Sequence, residues 1–369
     1  MSVQKRSKGA WRVRWKEGDR WQSRTFTTKK DATTFDSEIL RRRRLGSLAD
    51  LDAGLETLDS YVTGTWAIAY ASTLAEKTRR TYTCLYDTHL HPTLGDVPLR
   101  DLTPDMIGRW QQDRLAAGAG RASVRQSLGL LGNVLQRAVE SSRISRNPAR
   151  LVRKAKMPRR AEIQPLAPIT IEAMRTASTP RDAVLISLLA YSGLRPGEAL
   201  GLRWSDVRDR RTILVQRAIS VGEVKAGKTG ERTVRLLSPL AADLREWDLR
   251  SGRPSDKQLV IPGKDGNPWT EEAYRSWRRQ AFARAVTAAG IDHARPYDLR
   301  HSFASLLLYE GRSVIYVARQ LGHGAQLTLG TYGHVIEELE DAPRQDAEAE
   351  ILAARETCAA PQLPIVQSE

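Results

Sequence analysis

The sequence predicts a multidomain chain, mainly α-helical with small β elements, and three observations lead there. At 369 residues the chain exceeds what one hydrophobic core fills, so two or three domains are expected. Near the start, Trp11-Arg12-Val13-Arg14-Trp15 alternates apolar and basic residues, the period of a half-buried strand. From about residue 55 onward apolar residues recur at helical spacing, with strand-like composition returning only between 212 and 236.

The first module covers 1–50. Its first strand holds Trp11 to Trp15, Glu17-Gly18-Asp19 supplies turn chemistry, and 21–26 reads as a second strand. Thr28-Lys29-Lys30-Asp31 resembles a capping box opening a helix through Phe35, Ile39 and Leu40, which ends in Arg41-Arg42-Arg43-Arg44. So small a sheet leaves much of the packing to tryptophan. Arg12 and Arg14 then line the exposed face and are candidate DNA contacts.

The second module covers 55–155 and reads as a four-helix bundle, with helices over 58–70, 78–90, 103–117 and 123–141. Thr103-Pro104 is a helix start, with proline at the first helical position, and Gly95 and Pro98 separate two helices. Lys77, Arg79, Arg80, Arg121 and Arg125 fall near helix ends, where they would meet a DNA backbone or simply be solvated. A basic linker, 156–168, follows. The stretch leading into it includes Arg153 and Lys154, and four prolines fall between Pro148 and Pro168. The stretch reads either as a flexible strap able to close around a duplex or as an ordinary interdomain linker.

The third module, 166–335, reads as helical with one hairpin. Its strands are 212–220 and 232–236, and the turn carries Lys225 and Lys228. A tail, 336–369, completes the chain.

Charge is spread unevenly. The net charge is +15, which favours a polyanionic partner because phosphate neutralisation releases counterions. Residues 1–45 hold fourteen Lys/Arg and five Asp/Glu, whereas the tail holds nine acids and two arginines. One end therefore suits DNA and the other suits protein contacts. Cys84 and Cys358 have neither metal-ligand spacing nor a disulfide framework. No apolar run reaches the roughly 18 residues of a membrane helix, and the first residues lack a secretory signal. A cytoplasmic, nucleoid-associated protein is expected, with no membrane partner.

The chemistry concentrates in the last third. In Gly193-Leu194-Arg195-Pro196-Gly197-Glu198, glycine ends one helix and proline starts the next. Arg195 thus sits among free backbone N–H groups suited to a phosphate, with Glu198 one turn on to buttress it. In Pro296-Tyr297-Asp298-Leu299-Arg300-His301, a short helix starts again. Tyr297 and Arg300 share a face, Arg300 offers a second guanidinium fork, and Asp298 caps. A capped helix from Ser313 ends at Gly322 and presents His323, a donor to a phosphate oxygen. Tyr332 follows nine residues later. Its phenol, ordinarily of pKa ~10, becomes a competent nucleophile only beside fixed positive charge and a proton acceptor. Lys228, on a turn, is the candidate general acid for a departing oxygen. Gly227-Lys228-Thr229-Gly230 is not a phosphate-binding P-loop, since its remaining glycine and strand-to-helix context are missing.

These boxes, in this order, resemble the tyrosine recombinase family, in particular phage-type integrases. The resemblance rests on Arg195 with Gly193 and Glu198, on Lys228-Thr-Gly-Glu-Arg-Thr-Val, on Asp298-Leu-Arg300-His301, on Leu321-Gly-His323 and on Tyr332-Gly-His-Val. It implies an arm-type DNA-binding-like domain at 1–50, a helical core-binding domain at 55–155 and a mixed α/β catalytic domain at 166–335. Arg195, Lys228, Tyr297, Arg300, His323 and Tyr332 become the catalytic set, with Glu198, Asp298 and His301 supporting. Tyr332 would attack a scissile phosphate of double-stranded DNA at attachment-type sites, forming a 3′-phosphotyrosyl link that a partner strand resolves. The resemblance implies no cofactor and no metal. It implies a homotetramer on DNA, accessory directionality or bending proteins, and integration or excision of a mobile element. The tail would either dock on a neighbouring protomer, with Ile351 and Leu352 as anchors, or be disordered. One position departs from the family: Tyr297 stands where a histidine is usual, and His293 is poorly spaced to replace it. Rival readings are a type IB topoisomerase-like relaxer, a non-catalytic DNA-binding regulator with the same fold, and a metal-dependent transposase, which would need clustered carboxylates.

Overall fold

The computed structural model describes residues 2–7, 9–17, 20–46, 52–158, 165–209, 211–220, 222–226, 230–263, 266–338 and 346–359. Contacts divide the chain into two compact units, Met1–Arg159 and Arg160–Glu369. The architecture is multidomain and mainly helical with small sheets, as the sequence predicts.

The first unit begins with an antiparallel sheet of β1 (Ser2–Ser7), β2 (Ala10–Glu17) and β3 (Arg20–Phe26), followed by α1 (Lys29–Arg44). Alternation along β2 sends Val13 and Trp15 inward onto Ala32 and Ile39 of α1. Thr28 caps α1 by accepting from the Asp31 backbone N–H at 3.1 Å. The sequence reading did not anticipate β1, which lacks apolar alternation and is held by its register with β2, Val3 opposite Val13.

Helices follow at α2 (Leu58–Tyr61), α3 (Ala67–Ala69), α4 (Glu76–Leu85), α5 (His91–Leu94), α6 (Pro104–Ala116) and α7 (Arg121–Glu140). π turns at Val62–Trp66 and Tyr86–Leu90 join α2 to α3 and α4 to α5. Leu58, Leu90, Ile107, Trp110 and Leu131 fill their shared core. The stretch after α7 is less free than a strap. Pro148–Leu151 forms a 3-10 turn. Beyond it, Gln111 donates to the Arg153 carbonyl at 3.0 Å and accepts from the Ala155 N–H at 3.0 Å. The linker residues 159–164 lie outside the described residues.

The second unit opens with α8 (Pro168–Thr176), α9 (Pro180–Ser192) and the short α10 (Pro196–Leu200). Helix α9 is apolar almost all round, with every residue from Val184 to Ser192 buried, so it runs through the core. The strands are β4 (Val207–Arg208), β5 (Thr212–Val215), β6 (Arg217–Ser220), β7 (Glu223–Ala226) and β8 (Arg232–Arg235). They form two small sheets, β4-β5-β8 and β6-β7. The single strand expected over 212–220 is broken at Gln216. There the buried Asp206 accepts from Gln216 Nε2 at 2.8 Å and Arg217 Nη1 at 2.5 Å, turning the chain into a separate hairpin. Lys225 therefore sits on β7 opposite Ala218, not in the turn. Lys228 lies outside the described residues.

Then come α11 (Ser238–Arg250), α12 (Glu271–Trp277), α13 (Ala283–Ala288), α14 (Pro296–Tyr309), α15 (Val314–Leu321), α16 (Ala325–Glu338) and α17 (Ala347–Ala359). The helix expected to be short is α14. It runs fourteen residues against α9 because Leu299, Phe303, Ala304 and Leu307 are all buried. Helix α17 packs on α8 and α11 of its own chain, with Ile351 fully buried and Leu352 exposed. Its Arg355 reaches Asp243 at 2.7 Å and Glu172 at 3.4 Å, two buried carboxylates that also pair with Arg175. Among the described residues no helix is long and apolar enough to cross a membrane.

Candidate active site

Three arginines from distant segments meet at the C-terminal end of α15. A helix end leaves carbonyls without intrahelical donors and carries partial negative charge, so cations collect there. Arg232 Nε donates to the Gln320 carbonyl at 3.0 Å, Arg300 Nη2 to the Leu321 carbonyl, and Arg195 Nη2 to the Gly322 carbonyl at 3.0 Å. Arg300 Nη1 also donates to the Gly193 carbonyl.

Two glycines make this convergence possible. Gly193 ends α9 at φ +61°, and Gly322 ends α15 at φ +67°. A Cβ on Gly193 would lie 2.4 Å from Phe303 Cδ1, and one on Gly322 would lie 2.9 Å from Arg232 Cδ. A side chain at Gly193 would collide with the buried Phe303 ring, and one at Gly322 would displace the Arg232 guanidinium from its place.

Glu198 binds two of the guanidinium groups. It accepts from the Arg195 backbone N–H at 2.9 Å and from Arg195 Nη1 at 2.8 Å. Arg232 adds a two-pronged contact at 3.0 and 2.7 Å. Burial alone would raise this carboxyl, but the Arg232 and Arg195 guanidiniums outweigh it and hold it down at about 2. Arg300 is almost wholly buried; burial and then the nearby Arg195 charge bring it down to about 10, so it stays cationic at neutral pH.

His323 immediately follows Gly322. Its Nδ1 lies 3.1 Å from Thr328 Oγ1. Burial, reinforced by the charges of Arg300, Arg195 and Arg232, lowers its pKa and favours the neutral imidazole, although a hydrogen bond with the Gly324 carbonyl opposes the shift. A neutral ring still offers one N–H donor.

Tyr332 is buried at a kink of α16 (φ −121°, ψ 15°), and its hydroxyl lies 2.6 Å from His301 Nδ1. His301 follows Arg300 on α14, and its ring meets Tyr297 edge-on at 5.4 Å. Tyr297 is 41% exposed, and the Arg300 guanidinium lies 5.8 Å from its ring centre. Asp298 caps α14, accepting from the Arg295 N–H at 2.8 Å; burial alone would raise its carboxyl, but Arg295 holds it low.

The structure thus brings Arg195, Glu198, Arg300 and His323 together, and it joins Tyr332 to Arg300 through His301 and Tyr297. Arg232 and the α15 carbonyls escaped the sequence reading. A signal was present: Arg232 shares the inward face of β8 with buried Val234, and an inward guanidinium needs a buried carboxylate.

The expected DNA contacts are scattered. Arg14 is exposed and stacks at 5.2 Å from the ring of Trp21, while Arg12 is half-buried rather than exposed. Lys77, Arg79 and Arg80 are exposed, but Arg79 and Arg80 both pair with Glu76. Arg121 and Arg125 donate to the carbonyls of Lys156 at 3.4 Å and Ala155 at 3.3 Å, so they hold the chain after α7. Arg153 and Lys154 remain exposed.

Residues 166–338 match the phage integrase family, and residues 60–115 match the phage integrase N-terminal SAM-like domain. The chain is 26% identical over 348 residues to the prophage phiRv2 integrase of Mycobacterium tuberculosis, covering 88% of this chain and 91% of that one. It is 30% identical over 225 residues to the tyrosine recombinase XerC of Xanthomonas axonopodis pv. citri, covering 59% and 69%. Its fold is similar to that of lambda integrase, solved as a tetramer bound to a Holliday junction, with a TM-score of 0.59 and 19% identity over 87% of this chain and 95% of that one. Sequence and fold together define an enzyme that breaks and rejoins DNA strands. The chain belongs to the phage integrase family and is a tyrosine-type site-specific recombinase.

Proposed function

We propose that this recombinase integrates or excises a mobile element by attacking a scissile phosphate of double-stranded DNA with Tyr332. The attack leaves a 3′-phosphotyrosyl link and releases a 5′-hydroxyl. The observation that carries this reading is the hydrogen-bonded connection of a buried tyrosine hydroxyl to the helix bearing Arg300, in the core where Arg195, Arg232 and His323 gather.

Each side chain then has a physical role. Arg195 and Arg300 present fixed charge to the nonbridging oxygens, and His323 donates a hydrogen bond as negative charge builds. Preorganised donors of this kind are worth a few kcal/mol each, because they need no reorganisation when charge develops. Glu198 and Arg232 keep Arg195 oriented. Tyr297 donates a phenolic hydrogen bond where a histidine is usual. Lys228 protonates the leaving oxygen. The bond energy is kept in the covalent enzyme, so rejoining requires no nucleotide. Assembly of four copies on two attachment-type sites accords with the lambda integrase tetramer. Arg14, Lys77, Arg153 and Lys154 are the exposed cations best suited to the DNA backbone.

A nicked suicide substrate tests the reading. The wild-type protein should give an SDS-stable DNA adduct, and Tyr332→Phe should give none. An adduct that persists in the variant identifies another nucleophile.

A further inference from the structure

The attack needs a proton acceptor, and the site offers one to which the sequence boxes give only a supporting place. Tyr332 loses its proton as its oxygen bonds to phosphorus. At the position three residues before Arg300 the chain has Tyr297, a phenol, and a neutral phenol is a poor acceptor. The Tyr332 hydroxyl instead lies 2.6 Å from His301 Nδ1, the distance of a strong hydrogen bond, and both side chains are buried. An imidazole is a far stronger base than a phenol. Among the groups facing His301 are Tyr332 from α16, Tyr297 edge-on from its own helix, and the Asp298 carboxylate one turn back.

We propose that His301 is a catalytic residue, the general base that accepts the Tyr332 proton. This rests on Tyr332 being the nucleophile. As the Tyr332 oxygen–phosphorus bond forms, the phenolic proton passes along the hydrogen bond to Nδ1, giving an imidazolium. The bond from phosphorus to the 5′ oxygen breaks, and that oxygen takes a proton from the Lys228 ammonium. In rejoining, the attacking 5′-hydroxyl gives its proton to the Lys228 amine. The phosphorus–tyrosine bond breaks, and the imidazolium returns its proton to the phenolate. Protons and charge balance over the cycle, and no other reactant is consumed. Attachment to the same helix as Arg300 ties the base in register with the phosphate-facing guanidinium.

The experiment uses the full-length protein and single-turnover cleavage of the nicked substrate. Two forms are compared, with oxygen or with sulfur bridging phosphorus to the 5′ carbon. His301→Asn keeps an acceptor oxygen near the place of Nδ1 but cannot take a proton at neutral pH. Cleavage of the oxygen substrate should fall about 100-fold or more, with DNA affinity unchanged. Sulfur departs without protonation, so the sulfur substrate should restore a Lys228→Ala variant and leave the His301→Asn defect in place. A wild-type rate in His301→Asn would make the contact one of positioning alone. A faster rate would make it a latch that withholds the nucleophile, and rescue by sulfur would put His301 on the leaving-group side. Each of these overturns the proposal. Should His301→Asn fail to fold, His301→Ala with added imidazole replaces it: a rate rising with imidazole supports the base, and no rise refutes it. Adduct in Tyr332→Phe would instead sink the underlying reading, whereas a dead Tyr332→Phe beside an unimpaired His301→Asn sinks only this inference.

Discussion

Replacing Glu198 by glutamine removes an anion shared by Arg195 and Arg232. The carboxylate accepts four hydrogen bonds, at 2.9, 2.8, 3.0 and 2.7 Å, from within the protein interior. Its pKa falls from 4.5 to about 2, the guanidiniums overcoming the effect of burial. That difference corresponds to about 3 kcal/mol in favour of the folded anion. Because the folded value lies below the unfolded one, this contribution is fully present above pH 4.5. It is lost as pH falls through about 2. At neutral pH, Glu198→Gln should therefore destabilise the catalytic unit by about 2–4 kcal/mol, since two guanidiniums lose their counter-charge. At a pH one unit below the unfolded value the deficit should narrow by roughly 1.4 kcal/mol. Urea unfolding of the intact protein and the variant at the two pH values measures both numbers through the transition midpoints. A deficit below about 0.5 kcal/mol, typical of a surface change, would refute the reasoning. So would a deficit that does not narrow in acid. The loosened Arg195 should also slow formation of the covalent adduct.

Ile351→Ala should cost about 2–4 kcal/mol in thermal or urea unfolding, because Ile351 is fully buried on its own chain, while Leu352→Ala should change little. Equal effects of the two would argue against the described seat of α17. At the position that departs from the family, Tyr297→Phe should slow cleavage and Tyr297→His should preserve it. An unchanged rate with phenylalanine would remove Tyr297 from the reaction. DNA affinity should fall steeply with salt concentration, and a flat dependence in a filter or fluorescence titration would contradict a phosphate-dominated interface.

Much of the fold is legible because its signals are local. Period-two alternation marks β2, Thr28 and Asp31 mark the start of α1, and Thr103-Pro104 marks α6. The glycine and proline flanking Arg195 announce a helix boundary without knowledge of any partner. Strand β1 was not legible, since its residues lack alternation and only pairing with β2 makes it a strand. The break at Gln216 was equally hidden, because it depends on Asp206, ten residues away, turning its carboxylate inward. The seat of α17 depends on two buried carboxylates, Asp243 and Glu172, which Arg175 pairs from α8 and Arg355 joins from α17.

By itself the chain of residues determined the succession of helices and strands, the basic beginning and acidic end, and the order of the boxes that resemble a tyrosine recombinase. Those properties reside in neighbouring residues, and backbone sterics, capping and side-chain charge act over one or two turns. Only the tertiary structure decided that Arg195, Arg232 and Arg300 meet on the last carbonyls of α15, and that Tyr332 rests on His301. A helix end attracts cations from any segment, and which ones arrive depends on how the core packs. Here two left-handed glycines leave the room that lets them come close.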